Sequence, residues 1–148
     1  MYEEILLSPV EESEEKHDSS SETVIAFINK LEGYKTRCKA LHWAAVKKNI
    51  HVYLDEFLDV ISDYQDSLAE EYMGLYTHLK ALDINGTMCA AQNAKEFIQN
   101  VIDGTLEFYK NIPDKCCHAG MKSECETFIH NCFKYKYLFS ISAQEESY

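Results

Sequence analysis

Helix breakers are nearly absent from this chain: it has two prolines and five glycines in 148 residues. A fold made of many short strands needs turn residues every few positions. This chain cannot supply them, and long uninterrupted helices are what remains. Pro9, Pro113 and the Asn85-Gly86 pair are the main punctuation. The length suits one domain with a real core. A hydrophobic content of 46% and a charged content of 26% are those of an ordinary globular domain.

Apolar residues at helical spacing predict four helices. The first covers about 20 to 45, with Val24, Phe27, Ile28, Leu31, Tyr34, Cys38 and Leu41 on one face, and Ser19 with Glu22 forms a capping box at its start. A short connection near Lys47-Lys48-Asn49 leads to a second helix, about 50 to 77, striped by Ile50, Leu54, Phe57, Ile61, Leu68 and Tyr72. The third, about 88 to 111, carries Ala91, Ala94, Phe97, Ile98, Val101, Ile102, Leu106 and Tyr109, and contains Gly104, a weak helix former, in its middle. Ser123 with Glu126 suggests a second capping box, opening a fourth helix through Phe128, Ile129, Cys132, Phe133 and Leu138. Four amphipathic helices with shorter connections describe an all-α four-helix bundle over residues 19–143. Residues 1–18 read as a flexible acidic tail and 144–148 as a frayed C-terminus.

Charge narrows the function. Of the net −11, residues 1–22 hold −7, with eight acids against the single base Lys16. A nucleic-acid-binding module needs a basic patch, and none is visible. No apolar run approaches the roughly 18–20 residues that span a bilayer, and no secretory signal is evident. The expectation is a cytoplasmic protein, with no nucleic-acid or membrane partner, whose six cysteines are reduced.

The second helix carries the strongest chemical signal. On a wheel of about 100° per residue with His51 at zero, Asp55, Asp66 and Glu70 fall at about 40°, 60° and 100°. Asp59 and Asp63 lie in or beside the same sector, and the apolar stripe lies well away, near about −80°. From Asp55 to Glu71 there are seven acids and no base. Most charged helix faces are simply solvated, but such faces usually mix signs and pair them four residues apart. Unrelieved like charge beside an imidazole also suits a divalent first-row metal. One helix cannot wrap a metal, so part of any shell must come from the first helix or a second subunit.

Three segments carry a family resemblance: His42-Trp43, then Ile50-His51-Val52-Tyr53-Leu54-Asp55, then Asp66-Ser67-Leu68-Ala69-Glu70. The spacing His51-x3-Asp55-x10-Asp66-x3-Glu70 resembles the miniferritins, the Dps proteins of the ferritin-like superfamily. The motif spans about 30 residues. The resemblance implies a ferritin-like four-helix bundle and a di-iron ferroxidase centre between two subunits. His42, His51 and Asp55 would come from one chain and Asp66 and Glu70 from its two-fold partner, with Trp43 packed close by. It implies oxidation of Fe(II) by peroxide or O2, storage of ferric iron, zinc as a possible substitute metal, and dimers assembling into a twelve-subunit shell. The chain departs from the family in its short connection between His42 and His51, in lacking a glycine after His42-Trp43, and in having an acidic tail where some relatives carry a lysine-rich DNA-binding arm. A shortened connection threatens to draw His42 out of reach. It motivates the alternative of a non-catalytic structural or interaction bundle.

Other residues allow less. Cys116, Cys117, His118, Cys125, His130 and Cys132 invite a zinc reading, but they lack paired CxxC spacing. Cys125 and Cys132 share a face with Phe128 and Ile129, as buried core cysteines do. Cys38, one turn before His42, is expected in the core. Tyr53 and Tyr64 flank the acidic strip and are candidates to pass electrons. His78, His118 and His130 are expected to be surface or hydrogen-bonded histidines, with His17 in the tail. No catalytic triad, phosphate loop or dinucleotide fingerprint is present.

Overall fold

The computed structural model describes the backbone of residues 2–145 and the side chains of residues 20–144. The acidic tail of residues 1–18, the Ser19 capping box and the last residues of the expected frayed terminus lie outside the range of described side chains. Four α-helices are present: α1 (Tyr2–Ala44), α2 (Lys48–Leu75), α3 (Ala94–Asn111) and α4 (Ala119–Glu145). Two 3-10 turns, Ala81–Asp83 and Cys116–His118, precede α3 and α4.

Each helix buries one stripe. α2 shows the rule well: Leu54, Phe57, Ile61, Tyr64, Leu68 and Tyr72 recur every three or four residues, and all are buried. Against them pack Val24, Phe27, Ile28, Leu31, Cys38 and Leu41 of α1, Phe97, Ile98, Val101 and Phe108 of α3, and Met121, Cys125, Phe128, Cys132 and Tyr135 of α4. Aromatic pairs tie the layers together: Phe27 stacks on Phe108 at 4.2 Å and Tyr64 on Phe128 at 4.3 Å. Such pairs contribute about 0.5–1.5 kcal/mol beyond their buried area.

The connections determine the topology. Only residues 45–47 separate α1 from α2, so these two form an antiparallel hairpin. The 18 residues from Tyr76 to Asn93 instead travel the length of the bundle alongside α1. The Asn29 side chain donates to the Asp83 carbonyl and accepts from the Asn85 and Gly86 amides. Farther along, Thr87 N–H donates to the Asn29 carbonyl and Arg37 Nε to the Cys89 carbonyl. Gly33 makes the close passage possible, because a Cβ there would overlap the Thr87 carbonyl. Gly86, at φ 76°, makes the turn. The chain therefore re-enters at the α1 C-terminal end, and α3 runs parallel to α2. The helices that touch (α1 with α2 and α3, α4 with α2 and α3) are all antiparallel neighbours.

Several boundaries differ from expectation. α3 begins at Ala94, not near residue 88, because Asn93 caps it: its side chain accepts from Glu96 N–H while Glu96 accepts from Gln92 N–H. α4 begins at Ala119, so Ser123 lies inside the helix rather than at its cap. α2 runs two residues earlier than expected at each end. α3 passes through Gly104 without a break, and the missing side chain makes room for the Tyr34 hydroxyl, which donates to the Asn100 carbonyl. Leu106 and Phe133, expected on the core stripes, are exposed.

The passage at Gly33 gives a test of sign. Alanine in a helix interior normally gains about 0.5–1 kcal/mol over glycine. Here Gly33→Ala is expected to destabilise the fold by about 1–3 kcal/mol through overpacking, and Asn29→Ala by a similar amount through stranded backbone groups. Urea denaturation of both variants checks this; a stabilised Gly33→Ala protein would contradict the close passage.

Candidate metal centre

The α1–α2 hairpin brings His42 and His51 face to face. Their rings stack at 3.8 Å with planes 20° apart. Nδ1 of His42 donates to the His51 carbonyl, and Nδ1 of His51 donates to the His42 carbonyl, each at 2.7 Å. The His42 carbonyl lies in the last turn of α1, where carbonyls lack helical partners. A carbonyl only accepts, so each Nδ1 must carry a proton. In the neutral rings each Nε2 is then a lone-pair nitrogen, the atom that binds a metal. Asp55, one turn after His51, places Oδ1 3.9 Å from His42 Nε2. Two ligands of one first-row ion, each at about 2.0–2.2 Å, stand roughly 3–4 Å apart. His42 is half-buried and Asp55 exposed, so the group opens to the surface. The shortened connection leaves His42 against His51, not apart from it.

Asp66 and Glu70 sit elsewhere. Asp66 is eleven residues beyond Asp55, about 16 Å along the helix axis. Both are exposed. Asp59, Asp63, Asp66 and Glu70 form no ion pair among the described residues. Within a single chain, no group of three or more His, Cys, Asp or Glu side chains among the described residues is arranged to hold a metal ion. The remaining acids of the strip have local roles. Glu56 accepts from the Tyr135 hydroxyl, and Glu71 lies beside Glu124 of α4.

Trp43, expected to pack near the site, is 72% exposed, with Lys39 Nζ 5.8 Å above its ring. Tyr64 does not flank the strip: it is buried in the core, where its side chain meets that of Cys125. Cys38 is buried, donates to the Leu54 carbonyl, and burial followed by the nearby Asp55 charge pushes its thiol up to about 12. Cys125 and Cys132 are core residues held away from exposed Cys116 and Cys117, so these four do not form one zinc site. No helix among the described residues is long and apolar enough to cross a membrane.

Sequence reading missed two features at the other end of the bundle. His118, 5% exposed, shares a 2.6 Å hydrogen bond with the Tyr76 hydroxyl. Ser67 donates to both oxygens of Glu124, and the neighbouring Glu71 has a buried Oε1 without a hydrogen-bond partner. The only signals in the sequence were the i, i+4 step from Ser67 to Glu71 and the placement of His118 just before a helix. The chain matches no protein-family model, no curated protein and no solved structure.

Burial, then the Glu124 charge, hold the Glu71 carboxyl above its ordinary value of 4.5. The folded state therefore favours the protonated form. The stability this contributes is full below about pH 4.5 and is lost as pH rises through the folded pKa. Glu71→Gln is thus expected to raise the melting temperature at about pH 7 and to lose its advantage near about pH 4. Paired melting curves check it; a less stable variant at neutral pH would contradict the burial of charge.

Proposed function

We propose that this chain is a ferritin-like, miniferritin-type iron-binding protein that oxidises Fe(II) at a centre shared by two copies and stores the ferric product. The observation that carries the proposal is the tautomer-locked pair His42 and His51 with Asp55 beside it. A backbone carbonyl on the distal nitrogen is the usual way proteins orient a metal-binding imidazole. The bundle supports the reading too: one long crossover between two antiparallel hairpins is the connectivity associated with ferritin-like folds. The bare carboxylates of α2 add to it. Asp66 and Glu70 are too far along the helix to serve the same chain's histidines, but they are free to serve those of a second copy in an antiparallel, two-fold arrangement.

Iron is the substrate in this scheme. Two Fe(II) ions each give up one electron, and hydrogen peroxide takes both with two protons and becomes two waters. The imidazoles and carboxylates hold the two ions together, and the carboxylates favour the ferric products. The dimer is the smallest working unit, and a shell of twelve is the storage form expected from the resemblance.

The hairpin geometry also favours a second reading. Both histidine N–H groups are spent in joining α1 to α2, which is a sufficient structural role for the pair in a non-catalytic bundle. Anaerobic loading with Fe(II), followed by peroxide, separates the readings. Wild type is expected to build ferric absorbance at least about tenfold faster than Asp66→Ala/Glu70→Ala, since losing ligands from a metal shell typically costs at least that much. Equal, slow oxidation in both proteins would rule out the ferroxidase and leave the clasp.

A further inference from the structure

The end of the bundle opposite the histidine pair holds a nucleophile beside an imidazole. Cys116 and Cys117 are the two exposed cysteines of the chain; Cys38, Cys89, Cys125 and Cys132 are buried. Cys117 Sγ lies 3.3 Å from Nδ1 of His118. The other nitrogen of that imidazole meets the Tyr76 hydroxyl at 2.6 Å. The imidazole is buried while the sulfur reaches the surface. A thiol, a ring nitrogen within hydrogen-bond reach, and a third group orienting the ring are the parts of an activated nucleophile. Cys116 is exposed too, but no hydrogen bond to it occurs among the described residues, so it serves as an internal control.

We propose that Cys117 is a reactive thiol that exchanges with low-molecular-weight disulfides, with His118 holding its thiolate and Tyr76 positioning His118. Ser20 of α1 hydrogen-bonds the Tyr76 side chain. In this scheme the phenol donates to His118 Nε2, which leaves Nδ1 protonated to donate to the sulfur. Donation to the charged form favours thiolate over thiol. Tyr72 and Glu71 of α2 also face the phenol. In the reaction the Cys117 thiolate attacks one sulfur of the disulfide. The disulfide bond breaks, a new bond joins Cys117 to the attacked half, and the other half leaves as a thiolate. Nothing is oxidised or reduced overall. The product is a mixed disulfide on the surface at the start of α4.

The test follows the rate of reaction with 5,5′-dithiobis(2-nitrobenzoate), an aromatic disulfide, across pH in the full chain. Buried thiols do not compete on this timescale. The Cys116→Ser protein, which retains Cys117, should keep a fast phase at about pH 6. The Cys117→Ser protein should lose that phase and react there only slowly, through Cys116. Adding His118→Gln to Cys116→Ser should slow the reaction at about pH 6 by about threefold or more, the gain in thiolate being partly offset by its weaker nucleophilicity. Tyr76→Phe keeps the imidazole and should slow the reaction by less. It serves as the test if His118→Gln does not fold. Equal rates for Cys116 and Cys117 at about pH 6, or a rate that neither substitution changes, would overturn the proposal.

Discussion

Two imidazoles stacked at 3.8 Å, each donating to the other residue's carbonyl, join the end of α1 to the start of α2. The three-residue connection leaves little freedom at this corner. The two bonds fix what remains. They satisfy a carbonyl in the last turn of α1, set the register in which Cys38 meets Leu54, and determine which nitrogen of each ring carries the proton. Packing and chemistry are therefore set by the same contact. The rings that hold the hairpin are the rings whose Nε2 atoms are left with a lone pair.

From that corner the rest of the bundle follows. The hairpin sends α2 back along α1, and the long connection returns along α1 before α3 can begin. Its cost is a strip of backbone laid against a helix, where each polar group needs a partner. Asn29, Arg37 and Gly33 meet that need. The return makes every neighbouring helix pair antiparallel and separates two kinds of chemistry. The histidine pair and Asp55 lie at one end; Cys117, His118, Tyr76 and the Glu71–Glu124 pair lie at the other.

The helical fold was legible because period carries it: the stripe of α1 was readable residue by residue, and that of α2 except for Tyr64. Boundaries set by long-range contacts were not. Met88, Cys89 and Ala91 fit a helical spacing, yet they belong to the crossover, because Thr87 and Cys89 bond to α1. Ser123 and Glu126 match a capping pattern by spacing alone, while the real cap of α3, Asn93 with Glu96, was present and overlooked. At the site, the candidate residues of α2 could be picked from the charge pattern. The pairing of His42 with His51 could not, since it depends on how tightly three residues turn. Cys117 and His118 stood out as neighbours, but Tyr76, 42 positions from His118, left no local mark of its contact with it.

A centre divided between two copies can be tested by complementation. One chain carries His51→Ala and lacks the histidine half; another carries Asp66→Ala/Glu70→Ala and lacks the carboxylate half. Each alone should oxidise Fe(II) no faster than buffer. Unfolded together in equal amounts and refolded, half the dimers should be mixed, and each mixed dimer holds one intact centre of two. Recovery of about a quarter of wild-type activity is the result the shared centre requires. A mixture as inactive as its parents, from chains shown to dimerise, would contradict it.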